Sequence, residues 1–139
     1  MLTPLSDMRV PAMDCDPRRT SMTVITLAWR NERYADAFLR TLEAAAAAAD
    51  TSVELVVVEN GPDGALASLA LARAAADAEH IRLLPCRSPD NAGFTGGSNQ
   101  GCSVASGDIL VIANLDLEFD PGFVIEVEAR AAALSEPAC

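Results

Sequence analysis

The sequence predicts an α/β fold: an open, doubly wound, mostly parallel sheet with helices on both faces. Three observations carry that prediction. Short β-branched runs alternate with longer alanine-rich segments of helical periodicity. The run "VELVVVEN", Val53 to Asn60, is apolar almost without a break, as a strand buried on both faces of a parallel sheet requires. Turn and cap residues sit at the junctions, with Gly61-Pro62-Asp63-Gly64 after that run and Asp120-Pro121 before the last helical segment.

In chain order, residues 1–21 are polar and proline-punctuated and form a flexible leader, and residues 22–139 form one domain. "MTVITLA" (22–28) is the first strand. "RYADAFLRTLEAAAAAA" (33–49) places Tyr34, Phe38, Leu39 and Leu42 at helical spacing, a face to pack on the sheet. The second strand is 53–60, followed by a helix in "ALASLALARAAADA" (65–78). "IRLLP" (81–85) is the third strand, and "DNAGFTGGSNQG" (90–101) leads into a helix that ends near Gly107. "DILVIAN" (108–114) is the fourth strand. Asp120 as N-cap and Pro121 at the first helical position open the final helix.

Composition removes several functions. The chain has 139 residues, a formal net charge of −10 and no lysine, its ten basic residues all being arginine. An acidic chain lacks the electrostatic footprint for nucleic acid. Without lysine there is no P-loop and no Schiff base. Cys15, Cys86, Cys102 and Cys139 lie far apart and His80 is the single histidine, so no zinc cluster is spaced correctly. No segment is apolar enough for a signal peptide or a membrane span, which points to a cytoplasmic location, the inner face of a membrane included. Asp116, Glu118 and Asp120 imitate the start of a calcium loop, but its sixth position holds Pro121 and its twelfth Val127.

Ligands of such a sheet bind beyond the carboxyl ends of the strands. The first of those ends, Ala28-Trp29-Arg30-Asn31, contains no glycine, so a dinucleotide cannot lie against that backbone. The same turn lacks the glycine- and arginine-rich loop of a nucleotidyltransferase.

Four segments together resemble another family. "TLAWRNERYADAFLRTL" is similar to its strand, Thr-Tyr-Asn and helix, with Ala28, Trp29 and Arg30 at the Thr-Tyr-Asn positions. "ELVVVENGPDG" matches Val-Val-Asp-Asn-Gly-Ser, with Glu59 for Asp. "DNAGFTGGSNQG" matches Asn-x-Gly-Phe-x-Gly-Gly-Asn-Asn-x-Gly, and "GDILVIANLDLEFDPG" resembles the Asn-Pro-Asp form of the DxD motif. Over about residues 23–123 the chain thus resembles the nucleotide-binding half of the family 2 glycosyltransferases, of GT-A and Rossmann-like fold, and most of all their rhamnosyltransferase-type members.

The resemblance implies an inverting transfer of a sugar such as rhamnose from a UDP- or dTDP-linked donor to a glycan or lipid-linked glycan acceptor. It implies a site built from Ala28, Trp29, Arg30, Glu59, Asn60, Asn91, Gly93, Gly97, Asn99, Asn114 and Asp116. Glu59 would accept the N–H of uracil or thymine. Trp29 would either stack on the base or close the sheet edge as a core aromatic. Arg30 would either bridge a phosphate or face water. The glycines would bring a helix start close to ribose and diphosphate, with Asn91 and Asn99 hydrogen bonding and Phe94 packing into the core. Asp116 and Glu118 would ligate Mg2+ or Mn2+; in an extended segment Asn114, Asp116 and Glu118 share a face. The general base is expected beyond Cys139. The alternative is a truncated or degenerate, non-catalytic nucleotide-sugar-binding module, with a protein partner if truncated.

Overall fold

The computed structural model describes residues 21–135, so most of the expected leader, Cys15 and Cys139 lie outside the described residues. Ser21 is already tied to the sheet: its carbonyl accepts from the Ile109 N–H at 3.0 Å and its hydroxyl from the Asp108 N–H at 3.3 Å.

Four strands, β1 (Met22–Ala28), β2 (Val53–Asn60), β3 (Ile81–Ser88) and β4 (Ile109–Ile112), alternate with helices α1 (Ala35–Ala48), α2 (Ala65–Ala75), α3 (Gly93–Val104) and α4 (Phe123–Ser135). Every pairing is parallel and the order is β3-β2-β1-β4. Alternate residues of the central strands face opposite sides. Met22, Val24, Val53, Leu55 and Val57 pack with Phe38, Leu39 and Leu42 of α1, Leu71 of α2 and Val124 of α4. Ile25, Val56 and Val58 pack on the other side with Cys102 of α3. Both faces are therefore covered, by three helices on one and α3 on the other, as the apolar β2 run requires.

Two strands differ in their bounds from the sequence expectation. β3 continues past Pro85 to Ser88. It is an edge strand, where a residue without an N–H costs no ladder bond on the open side. β4 stops at Ile112 instead of Asn114, because the chain turns at once: the Leu117 N–H donates to the Asn114 carbonyl at 3.3 Å. The last helix starts at Phe123 and not at Pro121: Asp120 sits in the turn before it, its carboxylate accepting the Gly122 N–H at 2.8 Å and its carbonyl the Phe123 N–H at 2.9 Å.

The topology fixes where a ligand can enter. From β1 the chain moves through α1 to β2 and β3, then returns through α3 on the opposite face to β4, on β1's other side. The crossovers diverge between β1 and β4 and leave a crevice at their carboxyl ends.

Candidate functional site at the carboxyl ends of the strands

An open cleft of about 250 Å³ occupies that crevice, lined by Leu27, Asn31, Tyr34, Phe94, Asn114, Leu115 and Asp116. Asn31 organises its floor. Its Nδ2 donates to the Leu27 carbonyl at 3.1 Å, while its Oδ1 accepts the Trp29 N–H at 2.9 Å. Phe94, at the start of α3, is 59% exposed and stands at the cleft instead of entering the core. Asn114 and Asp116 both line the cleft, although not by alternation along a strand. The Asn114–Leu117 turn breaks the extended segment, so Glu118 is exposed and takes no part in the lining. Among the described residues, no three acidic, histidine or cysteine side chains converge as a metal cluster.

A second hollow, of about 320 Å³, lies at the ends of β2 and β3 and is lined by Glu59, Gly61, Pro62, Ala65, Arg87, Ser88 and Pro89. Glu59 is largely buried there, with Arg87 Nε 3.4 Å from its Oε1. Ala28, Glu59 and Arg87 are register partners across β1, β2 and β3. Ala28 itself is fully buried, and its carbonyl lies so close to Gly64 that a Cβ there would collide with it.

Trp29 and Arg30 form the rim of the first turn. Trp29 is 43% exposed, so it does not serve as a core aromatic. Arg30 donates to the Asp63 carboxylate at 2.8 Å, in the turn after β2.

The glycine-rich stretch is used differently from the sequence expectation. Asn60 is buried and holds that loop: its Oδ1 accepts the Ala92 N–H at 3.0 Å and its Nδ2 donates to the Gly93 carbonyl at 3.3 Å. Asn91 turns back on its own backbone, accepting the Gly93 N–H at 2.8 Å. Gly93 is exposed at φ +72°, a left-handed conformation that glycine adopts without strain. Gly97 is buried, and a Cβ there would sit 2.7 Å from Leu27 Cδ2; Gly101 meets Ile25 and Val58 in the same way. These two glycines let α3 approach β1 and β2. Asn99 is exposed, on the helix side opposite Gly97, Ser98 and Gly101, away from the cleft.

Asn31 and Tyr34 are the polar cleft residues that sequence reasoning missed, beside the apolar Leu27 and Leu115. Tyr34 packs against the core as its spacing predicts, but it closes a single 3-10 turn, Glu32–Tyr34, ahead of α1 and also lines the cleft. The available signal was an amide directly after a buried strand, a position that serves the strand's orphan carbonyl.

The opposite end of the sheet holds a different polar group. Glu54 is buried and accepts from Thr23 Oγ1 at 2.9 Å and from the N–H and Oγ of Ser106, both at 2.8 Å; it also pairs with Arg82. Burial alone would raise its pKa, but the Ser106 and Thr23 hydrogen bonds and the Arg82 charge prevail and hold the carboxyl below the ordinary glutamate value.

The sequence pattern of glycosyl transferase family 2 matches residues 23–135. The chain belongs to that family. Among solved structures, the crystal structure of S. aureus TarS 1-349 is similar to it with a TM-score of 0.59 and 18% sequence identity. That similarity covers 81% of this chain and 31% of the TarS chain, so the chain spans less than a third of the length of its structural neighbour. At this identity the likeness shows the fold, a GT-A-like, Rossmann-like α/β sheet. No curated protein matches the sequence. Among the described residues, no helix is long and apolar enough to cross a membrane.

Proposed function

We propose that this family 2 chain binds the nucleotide-sugar donor of an inverting glycosyltransferase, a UDP- or dTDP-linked sugar such as rhamnose, for transfer to a glycan or lipid-linked glycan acceptor. The observation that carries the proposal is the meeting of Asn31, Phe94, Asn114 and Asp116 in one cleft at the switch point of the sheet. Glu59 lies two strands away from β4, with β1 between them. At a strand spacing of about 4.8 Å that separation is about 10 Å, a span that an extended nucleoside diphosphate covers. The base then lies toward Glu59, whose carboxylate accepts its ring N–H, and the diphosphate toward Asp116.

The donor set of the cleft suits one hard divalent cation. Asp116 and Asn114 both offer oxygen ligands, and Mg2+ is commonly held by one or two carboxylates together with substrate phosphates and water. When bound, such an ion would neutralise charge on the departing nucleoside diphosphate. Asp116 would hold it, with Asn114 beside it. The protein's own residues orient the donor: Asn31 fixes the first turn, Phe94 walls the cleft, and Glu59 selects a base with a ring N–H. None of them is assigned as the base that takes the acceptor's proton.

Calorimetric titration of the chain with UDP and with dTDP, with and without Mn2+, tests the proposal. Metal-dependent binding of at least one of them is expected. A folded sample that binds neither, with or without metal, would overturn it. One observation favours a non-catalytic module that binds the same donor: the first acid of the metal motif is the neutral Asn114, leaving Asp116 as the one carboxylate in the cleft. Sugar transfer by the chain would eliminate that alternative.

A further inference from the structure

The turn after β1 and the turn after β2 are locked together by contacts that the donor chemistry does not require. Arg30 adopts φ +53°, a left-handed conformation that is strained for a residue with a side chain. Two bonds to one residue hold it there: its N–H donates to the Asp63 carbonyl at 3.1 Å, and its guanidinium donates to the Asp63 carboxylate at 2.8 Å. Gly64, next to Asp63, lies against the Ala28 carbonyl and Glu59, so the two turns pack backbone to backbone. Held in this way, the Arg30 guanidinium carbon sits over the Trp29 ring, 5.0 Å from its centroid. One face of the indole is thereby occupied, while the residue remains 43% exposed.

We propose that Asp63 is a positioning residue: by fixing Arg30 over one face of Trp29, it presents the other face as the stacking platform for the donor's base. The proposal rests on the reading of this end of the sheet as a nucleotide site. It also assigns Arg30 a role that excludes the phosphate contact considered from sequence. The guanidinium is committed to Asp63 and the indole, and it acts on the ligand only through Trp29. Because Arg30 and Asp63 are both more than half exposed, the clamp is weak, and its loss should tilt the platform without unfolding the domain.

Trp29 is the single tryptophan, so its fluorescence reports this position alone. Two variants test the clamp. Asp63→Asn removes the charge, and Arg30→Gly removes the guanidinium while tolerating the positive φ. In the chain without nucleotide, both should raise the acrylamide quenching constant of Trp29 with little change in the thermal midpoint. Quenching equal to wild type in both variants would overturn the clamp. With nucleotide, Asp63→Asn should weaken UDP and uridine by the same factor, about two- to five-fold, the range an exposed ion pair supports. Asp63→Glu should restore part of that loss. If Arg30→Gly weakens UDP but leaves uridine unchanged, Arg30 is a phosphate ligand and the proposal fails. If wild type binds none of UDP, dTDP and uridine, the nucleotide reading falls, while the quenching comparison still decides whether Asp63 positions Trp29.

Discussion

Glu54, near the start of β2, and Asp116, in the turn after β4, are carboxylates at opposite ends of one sheet. At the amino end, Glu54 receives hydrogen bonds from Thr23 and Ser106, pairs with Arg82, and is 7% exposed. At the carboxyl end, Asp116 is exposed and lines a cleft together with Asn114 and Asn31. The loop after α3 wraps the first and saturates it with donors. The turn after β4 leaves the second facing open space. Acidity alone does not mark a site; what matters is whether the fold has already filled the oxygen's hydrogen-bonding capacity.

The sharpest way to break this contrast is to remove Glu54. Glu54→Ala leaves the buried Thr23 hydroxyl and the Ser106 N–H without their acceptor, while Arg82, whose side chain is 67% exposed, stays in water. Leaving those donors unsatisfied costs up to about 3 kcal/mol, which denaturant unfolding would measure. Wild type should show the same dependence on acid. A glutamate whose folded pKa lies below its unfolded one, ordinarily about 4.3, gives its full stabilisation above that ordinary value. The stabilisation is lost as pH falls through the lower, folded value. The unfolding free energy of Glu54→Gln should therefore fall less steeply with decreasing pH over this range than that of wild type; equal slopes would mean that Glu54 is not part of a saturated network.

A smaller effect is expected at the helix between the two ends. Gly101 of α3 has no room for a Cβ, which would collide with Ile25 and Val58. Gly101→Val should cost about 2 kcal/mol by overpacking, and Gly97→Val, against Leu27, a similar amount. Thermal unfolding checks both. Unchanged stability at Gly97 combined with lost nucleotide affinity would return that glycine to the ligand site.

These same glycines show what was legible in the chain and what was not. β2 could be read because a run apolar on both faces has few alternatives, and the α/β order follows from such runs alternating with helical ones. Asn114 and Asp116 could be read because they follow a strand directly, where position in sequence and position in space coincide. Gly97 and Asn60 could not. Their roles depend on how closely α3 approaches β1 and on which way a loop folds back, and both are decided by residues more than thirty positions away. The same limit hid Asp63, whose partner Arg30 lies one crossover earlier. The shared face of Asn114, Asp116 and Glu118 failed for a local reason: extended geometry was assumed through a turn.

The smallest expected change in stability is at Asp116, and it is the most informative. Asp116→Asn keeps the shape of the side chain and removes its charge. As an exposed residue outside any buried network it should alter unfolding free energy by less than about 0.5 kcal/mol. If the cleft holds a divalent ion between this carboxylate and a diphosphate, Mn2+-dependent affinity for UDP or dTDP should nevertheless fall by about tenfold or more, because a neutral amide replaces the one charged protein ligand. Binding measured in EDTA should not change. Titrations of both proteins with and without metal separate these terms. An equal loss with and without metal would place Asp116 on the nucleotide itself, and no loss in either would leave the cleft without its charged ligand. Glu54 and Asp116 would then contrast in two independent measurements: one variant loses stability and retains whatever binding its folded fraction has, while the other retains stability and loses metal-dependent affinity.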